Sequence, residues 1–192
     1  MIEMFTAPTW LETYRGRRVD FEAPDPATIC IADIAHSLAM QCRYTGQCQR
    51  FYSVAEHSVF CSRWLEAHGH DRRLQLLGLL HDAAEAYLGD LHPYLKRLFP
   101  EWNTYAARLD AAIYEALRLS PPTNDEQQIV DLADEVALAT EIREQMLSGG
   151  CGWDIPADPA EEPHIEYWGP PQAAWAFVER YIWPSRTDAR NA

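Results

Sequence analysis

HGHDRRLQLLGLLHDAAEAYLGD, His68 to Asp90, reads as a helix with marked ends. Asp71 stands where an N-cap belongs, ahead of the apolar-rich run RRLQLLGLL, and Gly89 supplies the C-terminal stop. The stretch carries His-Asp twice, at His70-Asp71 and at His81-Asp82. With seven His and thirteen Asp in 192 residues, composition alone gives about half such a pair. Context must separate the two. His70-Asp71 follows a glycine between two helices, where turn chemistry accounts for Asp71 and the His68-x-His70 spacing needs no metal. His81-Asp82 falls in the middle of the predicted helix, where an unpaired buried polar group costs roughly 2–7 kcal/mol. Glu85, three residues beyond Asp82 and four beyond His81, shares their face. Three ionisable groups on an apolar helix call for partners. A divalent cation is one answer, and a half-exposed helix edge is the other.

The neighbouring helices add donors. SVAE, Ser53 to Glu56, has the form of a capping box and opens a helix expected to run to about Ala67, with His57 one turn in. TNDE, Thr123 to Glu126, opens a longer helix through about Met146, and its IVDLADEVAL offers Asp131 and Asp134. Two imidazoles and two carboxylates from three helices make an N2O2 set that suits Mn, Fe, Co, Ni or Zn better than Ca. Such a set leaves positions open, as catalytic metal sites do.

Further out, the chain stays helical. WLETYRGRRVDFE, residues 10–22, has a glycine between two short runs and predicts a hairpin or an irregular arm within an extended first thirty residues. Ile31, Ile34, Ala35, Leu38 and Cys42 recur at three- and four-residue spacing, as one buried helical stripe requires. A short helical turn is expected from Pro93 to Phe99, a helix from about Asn103 to Leu119, and a last one from about Gln172 to Ile182. CGWDIPADPAEEPHIEYWGPP, rich in Pro, Gly and Trp, predicts a surface loop before that last helix. The expected fold is all-α, five or six main helices in a single domain over residues 1–192. The motif core occupies about 24–146, with a C-terminal loop and helix over 148–192.

Composition bounds the function. A formal charge of −13 repels polyanions and argues against duplex nucleic acid, though a local Arg/Lys cluster can still receive a small anion. No apolar run approaches the ~20 residues that span a bilayer, and MIEMFTAPTW lacks the features of a signal peptide. The expectation is a cytoplasmic protein with no membrane partner. The five cysteines are odd in number and form no CxxC, so they read as reduced, mostly buried thiols.

The order His57, His81-Asp82 and a later Asp, in an all-α chain, resembles the HD-domain phosphohydrolase superfamily. CRYTGQCQRFYSVAEHS (Cys42 to Ser58), LLHDAAEAYLGDL (Leu79 to Leu91) and VDLADEVAL (Val130 to Leu138) are similar to the branch holding bacterial 5'-deoxynucleotidases and phage-type dATP triphosphohydrolases. The likeness covers roughly Pro24 to Met146 and implies an HD-domain helical bundle. It places His57, His81, Asp82 and Asp134 as metal ligands, with Asp131 as the fallback one turn away. It implies Glu85 as the acid/base residue, Arg43 and Lys96 facing phosphate, and Asp90 near the sugar. Where many relatives have Gly-His, this chain has Gly46-Gln47.

The implied activity is metal-dependent hydrolysis of nucleotides, most directly deoxynucleoside 5'-mono- or triphosphates. The cofactor would be one divalent transition metal ion, with room for Mg²⁺ as a second. Partners would be a small nucleotide substrate and further copies in a homo-oligomer. A non-catalytic nucleotide- or metal-binding regulatory module is the alternative, though such a module is expected to have lost Glu85 or a ligand. Several residues have plainer readings: Arg43 as a helix C-cap, Lys96 with Arg97 as a solvated pair, and Asp90 as a turn residue. His36 reads equally as a core histidine, and Trp153 and Trp168 either stack a base or plug a core edge.

Overall fold

The helix boundaries follow from local caps. In the computed structural model, residues 9–182 are described, with only the backbone at Pro93 and Tyr94. The extended reading of residues 1–8, and the domain ends at 1–8 and 183–192, lie outside them. Strands β1 (Trp10–Glu12) and β2 (Arg18–Asp20) form the expected hairpin, antiparallel with Leu11 opposite Val19. Buried Asp33 fastens it to the bundle by accepting hydrogen bonds from Thr13 Oγ1 (2.9 Å) and the Arg15 N–H (3.1 Å).

Helix α1 (Ile31–Met40) carries Asp33 and buries Ile34, Ala35 and Leu38. Cys42 lies past its end, so the predicted stripe stops one turn early; Cys42 instead bridges Ser53. Helix α2 (Val54–Ala67) starts where Ser53 Oγ accepts the Glu56 N–H, at 3.1 Å. Helix α3 (Arg72–Leu80) starts where Asp71 accepts the Leu74 N–H. Then come α4 (Glu85–Leu88), α5 (Pro93–Leu98) and α6 (Pro100–Ala116). The long α7 (Asn124–Gln145) opens on a complete capping box between Thr123 and Glu126, and α8 (Pro170–Ile182) ends the described chain. Helices α6 and α8 begin two or three residues before expectation, because Pro100 and Pro170 suit a first helical turn.

Helix α2 is the axis of the assembly, packed against α3, α7 and α8, while α1 lies along α8. One apolar cluster joins Ile34 and Leu38 to Leu79, Leu109, Ile113 and Phe177; a second places Phe60, Trp64 and Leu65 against Ala133, Val136 and Ala137. Gly78 allows the α2–α3 approach: a methyl group there would stand 2.4 Å from Leu65 Cδ1. The all-α expectation holds among the described residues, where the hairpin is the only sheet. None of their helices is long and apolar enough to cross a membrane.

Candidate metal centre and adjoining cavity

The helix expected to run unbroken from Asp71 to Gly89 stops at Leu80 and restarts at Glu85. Between them the backbone tightens to i→i−3 bonds, Ala83 N–H to the Leu80 carbonyl (2.9 Å) and Glu85 N–H to the Asp82 carbonyl (3.0 Å). His81 Nδ1 lies 2.8 Å from the Gly78 carbonyl, so the ring itself occupies an acceptor of the preceding turn. This pinch aims His81 and Asp82 together at α2.

His57 waits there, wholly buried. Its Nε2 lies 3.1 Å from His81 Nε2, 3.1 Å from Asp134 Oδ1 and 3.5 Å from Asp82 Oδ2. His81 Nε2 is 3.2 Å from Asp82 Oδ2 and 3.7 Å from Asp134 Oδ1. Donors about 2.1 Å from one cation sit about 3.0 Å apart at octahedral angles and about 3.4 Å at tetrahedral ones, and these separations are of that size. The structure thus brings His57, His81, Asp82 and Asp134 together. Asp131 turns outward, accepting from Gln127 Nε2 on the exposed face.

Each imidazole has its Nδ1 against an acceptor, Gly78 O for His81 and Glu141 Oε1 (2.6 Å) for His57. That fixes Nδ1 as the protonated nitrogen and turns both Nε2 lone pairs to the centre. The charges agree. Asp82, Asp134 and Glu141 all surround His57, with Arg43 beside Asp82 and Glu141 as the counter-charge, which leaves two negative charges to offset. Either both imidazoles take a second proton or one divalent cation sits among them. Burial opposes charging both imidazoles, as does the Arg43 charge for His57, yet Cys61, Glu141 and Asp134 raise His57, and Asp82 and Asp134 raise His81, well above the usual histidine range. Burial likewise opposes ionising Asp82, but His81 holds its carboxyl far below normal. The Asp134 side chain keeps 45% exposure, so the centre opens to solvent on that side.

Two residues of this centre escaped the reading of the sequence. Glu141 is fully buried and clasps three groups: His57 through Oε1, and Arg43 Nε (3.0 Å) and the Tyr44 hydroxyl through Oε2. Its spacing of seven from Asp134, two turns along the same face, was the available signal. Cys61 lies one turn beyond His57, and the donor atoms of His57, Cys61, His81 and Asp134 all lie within 4.8 Å of one another, a group that could hold a metal ion. His57-x-x-x-Cys61 spacing pointed to it.

Arg43 is not a helix cap: α1 ends at Met40, and the guanidinium reaches Glu141, with Nη1 3.7 Å from Asp82 Oδ2. It stands in a turn where Tyr44, Thr45 and Gly46 all take positive φ (57°, 54° and 77°), a strained run of the kind found at ligand sites. Arg43, Tyr44, Asp90, Arg97, Leu138 and Trp153 line a cavity of about 630 Å³. Trp168 is elsewhere, buried at the core edge. His36 stacks on Tyr14 rather than entering the centre.

Glu85 is 2% exposed. Its Oε1 accepts from Lys96 Nζ at 2.6 Å, while Oε2 is buried with no hydrogen-bond partner among the described residues. Burial first, then the Asp82 charge, push this carboxyl up to about 8 against the pull of Lys96. Lys96, expected to face phosphate, is therefore engaged with Glu85 and also lies over the Trp102 ring.

The chain is 34% identical to a protein of Escherichia coli named "Uncharacterized protein YfdR" over 175 residues, which cover 90% of this chain and 94% of that one. The chain belongs to the YfdR family. It is also 44% identical over 86 residues to "Uncharacterized protein RCAP_rcc00048" of Rhodobacter capsulatus, 43% of this chain and 44% of that protein. No family model matches. In this member of the YfdR family, two imidazole nitrogens and two carboxylates converge beside a cavity whose lining includes Arg43 and Arg97 together with Asp90 and Asp154. Such a set of donors could hold a divalent cation.

Proposed function

We propose that this YfdR-family chain is an HD-type, metal-dependent phosphohydrolase acting on nucleotides, with deoxynucleoside 5'-mono- or triphosphates as substrates. The observation that carries the reading is that the Nε2 atoms of His57 and His81 lie 3.1 Å apart, each within 3.1–3.7 Å of an Asp82 and an Asp134 oxygen, beside a cavity walled by Arg43. When bound, a divalent cation supplies Lewis-acid polarisation of a phosphoryl oxygen and acidifies water at the site.

The chain's own residues supply the rest. Glu141 holds Nε of Arg43 and Asp82 lies 3.7 Å from Nη1, so the guanidinium is fixed in place and offers its outer N–H groups to a phosphoryl oxygen. Glu85 holds a proton near neutral pH on a buried carboxyl and is free at Oε2 to pass it to a leaving oxygen or to take one from water. Lys96 orients that carboxyl and keeps it from rising further. The cavity's size accommodates a nucleoside, with Trp153 and Leu138 as apolar walls and Asp90 at its polar side.

The test is phosphate release with Mn²⁺ or Co²⁺ on deoxynucleoside mono- and triphosphates, beside Glu85→Ala. Orthophosphate from monophosphates assigns a 5'-nucleotidase, and tripolyphosphate plus nucleoside a triphosphohydrolase. Either activity falls in the variant by about 10²–10⁴-fold, the usual worth of general acid–base help. A wild type that binds metal but is inert on every nucleotide replaces this reading with the non-catalytic binding module.

A further inference from the structure

We propose that Cys61 is a sulfur ligand of the metal centre, so that the site selects a thiophilic cation over Mg²⁺, Ca²⁺ or Mn²⁺. This rests on the reading of the cluster as a metal centre, and not on the reaction assigned to it.

The argument is geometric. Cys61 and His57 are separated by one turn of α2 and both are wholly buried. Cys61 Sγ stands 3.8 Å from His57 Nε2, the nitrogen that faces the centre rather than Glu141. Its other polar contact, the Ala133 carbonyl, is also 3.8 Å away. The thiol thus has no short hydrogen bond, and it lies between His57 and the residue before Asp134. A cation about 2.1 Å from nitrogen and about 2.3 Å from sulfur separates them by about 3.6 Å at tetrahedral angles. The observed spacing needs a contraction of only a few tenths of an ångström. Packing offers a competing account, since free thiols are often buried and Cys61 borders Phe60, Trp64 and Ala133. Packing explains the burial. It does not explain a thiol placed with two imidazoles and a carboxylate inside one 4.8 Å group.

A sulfur donor changes which ion is held. Thiolate favours Zn²⁺, Co²⁺ or Fe²⁺, whereas a purely imidazole and carboxylate set accepts Mn²⁺ readily. On binding, the Cys61 S–H bond gives way to a sulfur–metal bond and its proton leaves to solvent, so loading releases acid.

The experiment titrates Co²⁺ into the metal-free full-length protein and reads the visible d–d bands together with the near-ultraviolet sulfur-to-cobalt charge-transfer band. Wild type should show both. Cys61→Ser and Cys61→Ala should keep the d–d bands, lose the charge-transfer band, and bind Co²⁺ at least about tenfold more weakly, the smallest cost typical of disturbing a metal site. If a variant fails to fold, zinc absorption-edge spectroscopy on the wild type decides, with a sulfur shell expected at about 2.3 Å. Cobalt bound without the charge-transfer band, a band that survives in Cys61→Ser, or a zinc shell of nitrogen and oxygen alone overturns the proposal. Nucleotide hydrolysis without the band removes Cys61 and leaves the phosphohydrolase reading; the band without hydrolysis does the reverse. A protein that binds no cobalt overturns both.

Discussion

Glu56 and His57 are neighbours on one helix, and both are buried, yet their surroundings differ in kind. The Glu56 carboxylate accepts three main-chain N–H groups, from Glu166 and Tyr167 at 2.8 Å and from Trp168 at 2.9 Å. Donors and acceptors match there, and the cluster is complete within the protein. Around His57, two imidazole lone pairs and two carboxylates point at one another with too few protons among them. A buried polar cluster that closes on itself holds the chain together. One left with surplus acceptors is built for something that comes from outside.

The sharpest way to break that comparison is to remove one member of each cluster. Asp134→Ala should weaken metal binding, measured by calorimetry, by more than the 10–100-fold that a supporting residue costs. Its unfolding midpoint in metal-free urea titrations should move less than that of Glu56→Ala. Glu56→Ala leaves three N–H groups without their acceptor, and burying unsatisfied donors costs about 1–3 kcal/mol or more. We expect a loss of about 3 kcal/mol in urea denaturation, with metal affinity nearly intact. If Asp134→Ala unfolds the protein and Glu56→Ala spares it, the assignment of the two clusters is inverted.

Glu141 lies between the two cases, satisfied by its partners yet touching the centre. Glu141→Ala should lower metal affinity by about 10–100-fold, because His57 loses the acceptor that fixes its ring. The same variant should also raise KM for a phosphorylated substrate, since Arg43 loses its anchor. An effect on stability alone would make Glu141 an architectural carboxylate like Glu56.

The smallest effect is expected at the surface. Glu126, the capping-box residue of α7, accepts from Arg73 and the Thr123 N–H, and these bonds hold its carboxyl down at about 2. A folded-state value below the ordinary 4.5 means the stabilisation is complete above 4.5 and is lost as pH falls towards 2. Melting temperatures across that window should fall less steeply in Glu126→Gln than in wild type.

What the sequence revealed and what it hid divide along the same line as local and distant contacts. Ser53, Asp71 and Thr123 were readable as caps because each bonds a backbone N–H three residues on. His57, His81 and Asp82 stood out because ionisable groups on apolar helix faces need a reason, whereas Asp134 was separated from Asp131 only by the family resemblance. The Ser53–Glu56 box was misread in half: Ser53 caps, but Glu56 spends its side chain on a backbone 110 residues away. The break at His81–Ala84 was hidden because it depends on a ring reaching the Gly78 carbonyl, which competes with helix propensity only in the folded chain. Glu141 and Cys61 were passed over for a different reason. Each had the right spacing, but acidic helix positions and buried cysteines are common enough that spacing alone did not single them out.

The clasp between His57 and Glu141 also sets an order of events in time. The two residues are 84 positions apart, and a ribosome adding roughly 5–20 residues per second needs about 4–17 s to pass from one to the other. For most of that interval His57 is already made but has neither Asp134 nor Glu141 to face. An ion held there would therefore be captured late in biogenesis, only once α7 has been synthesised and docked on α2.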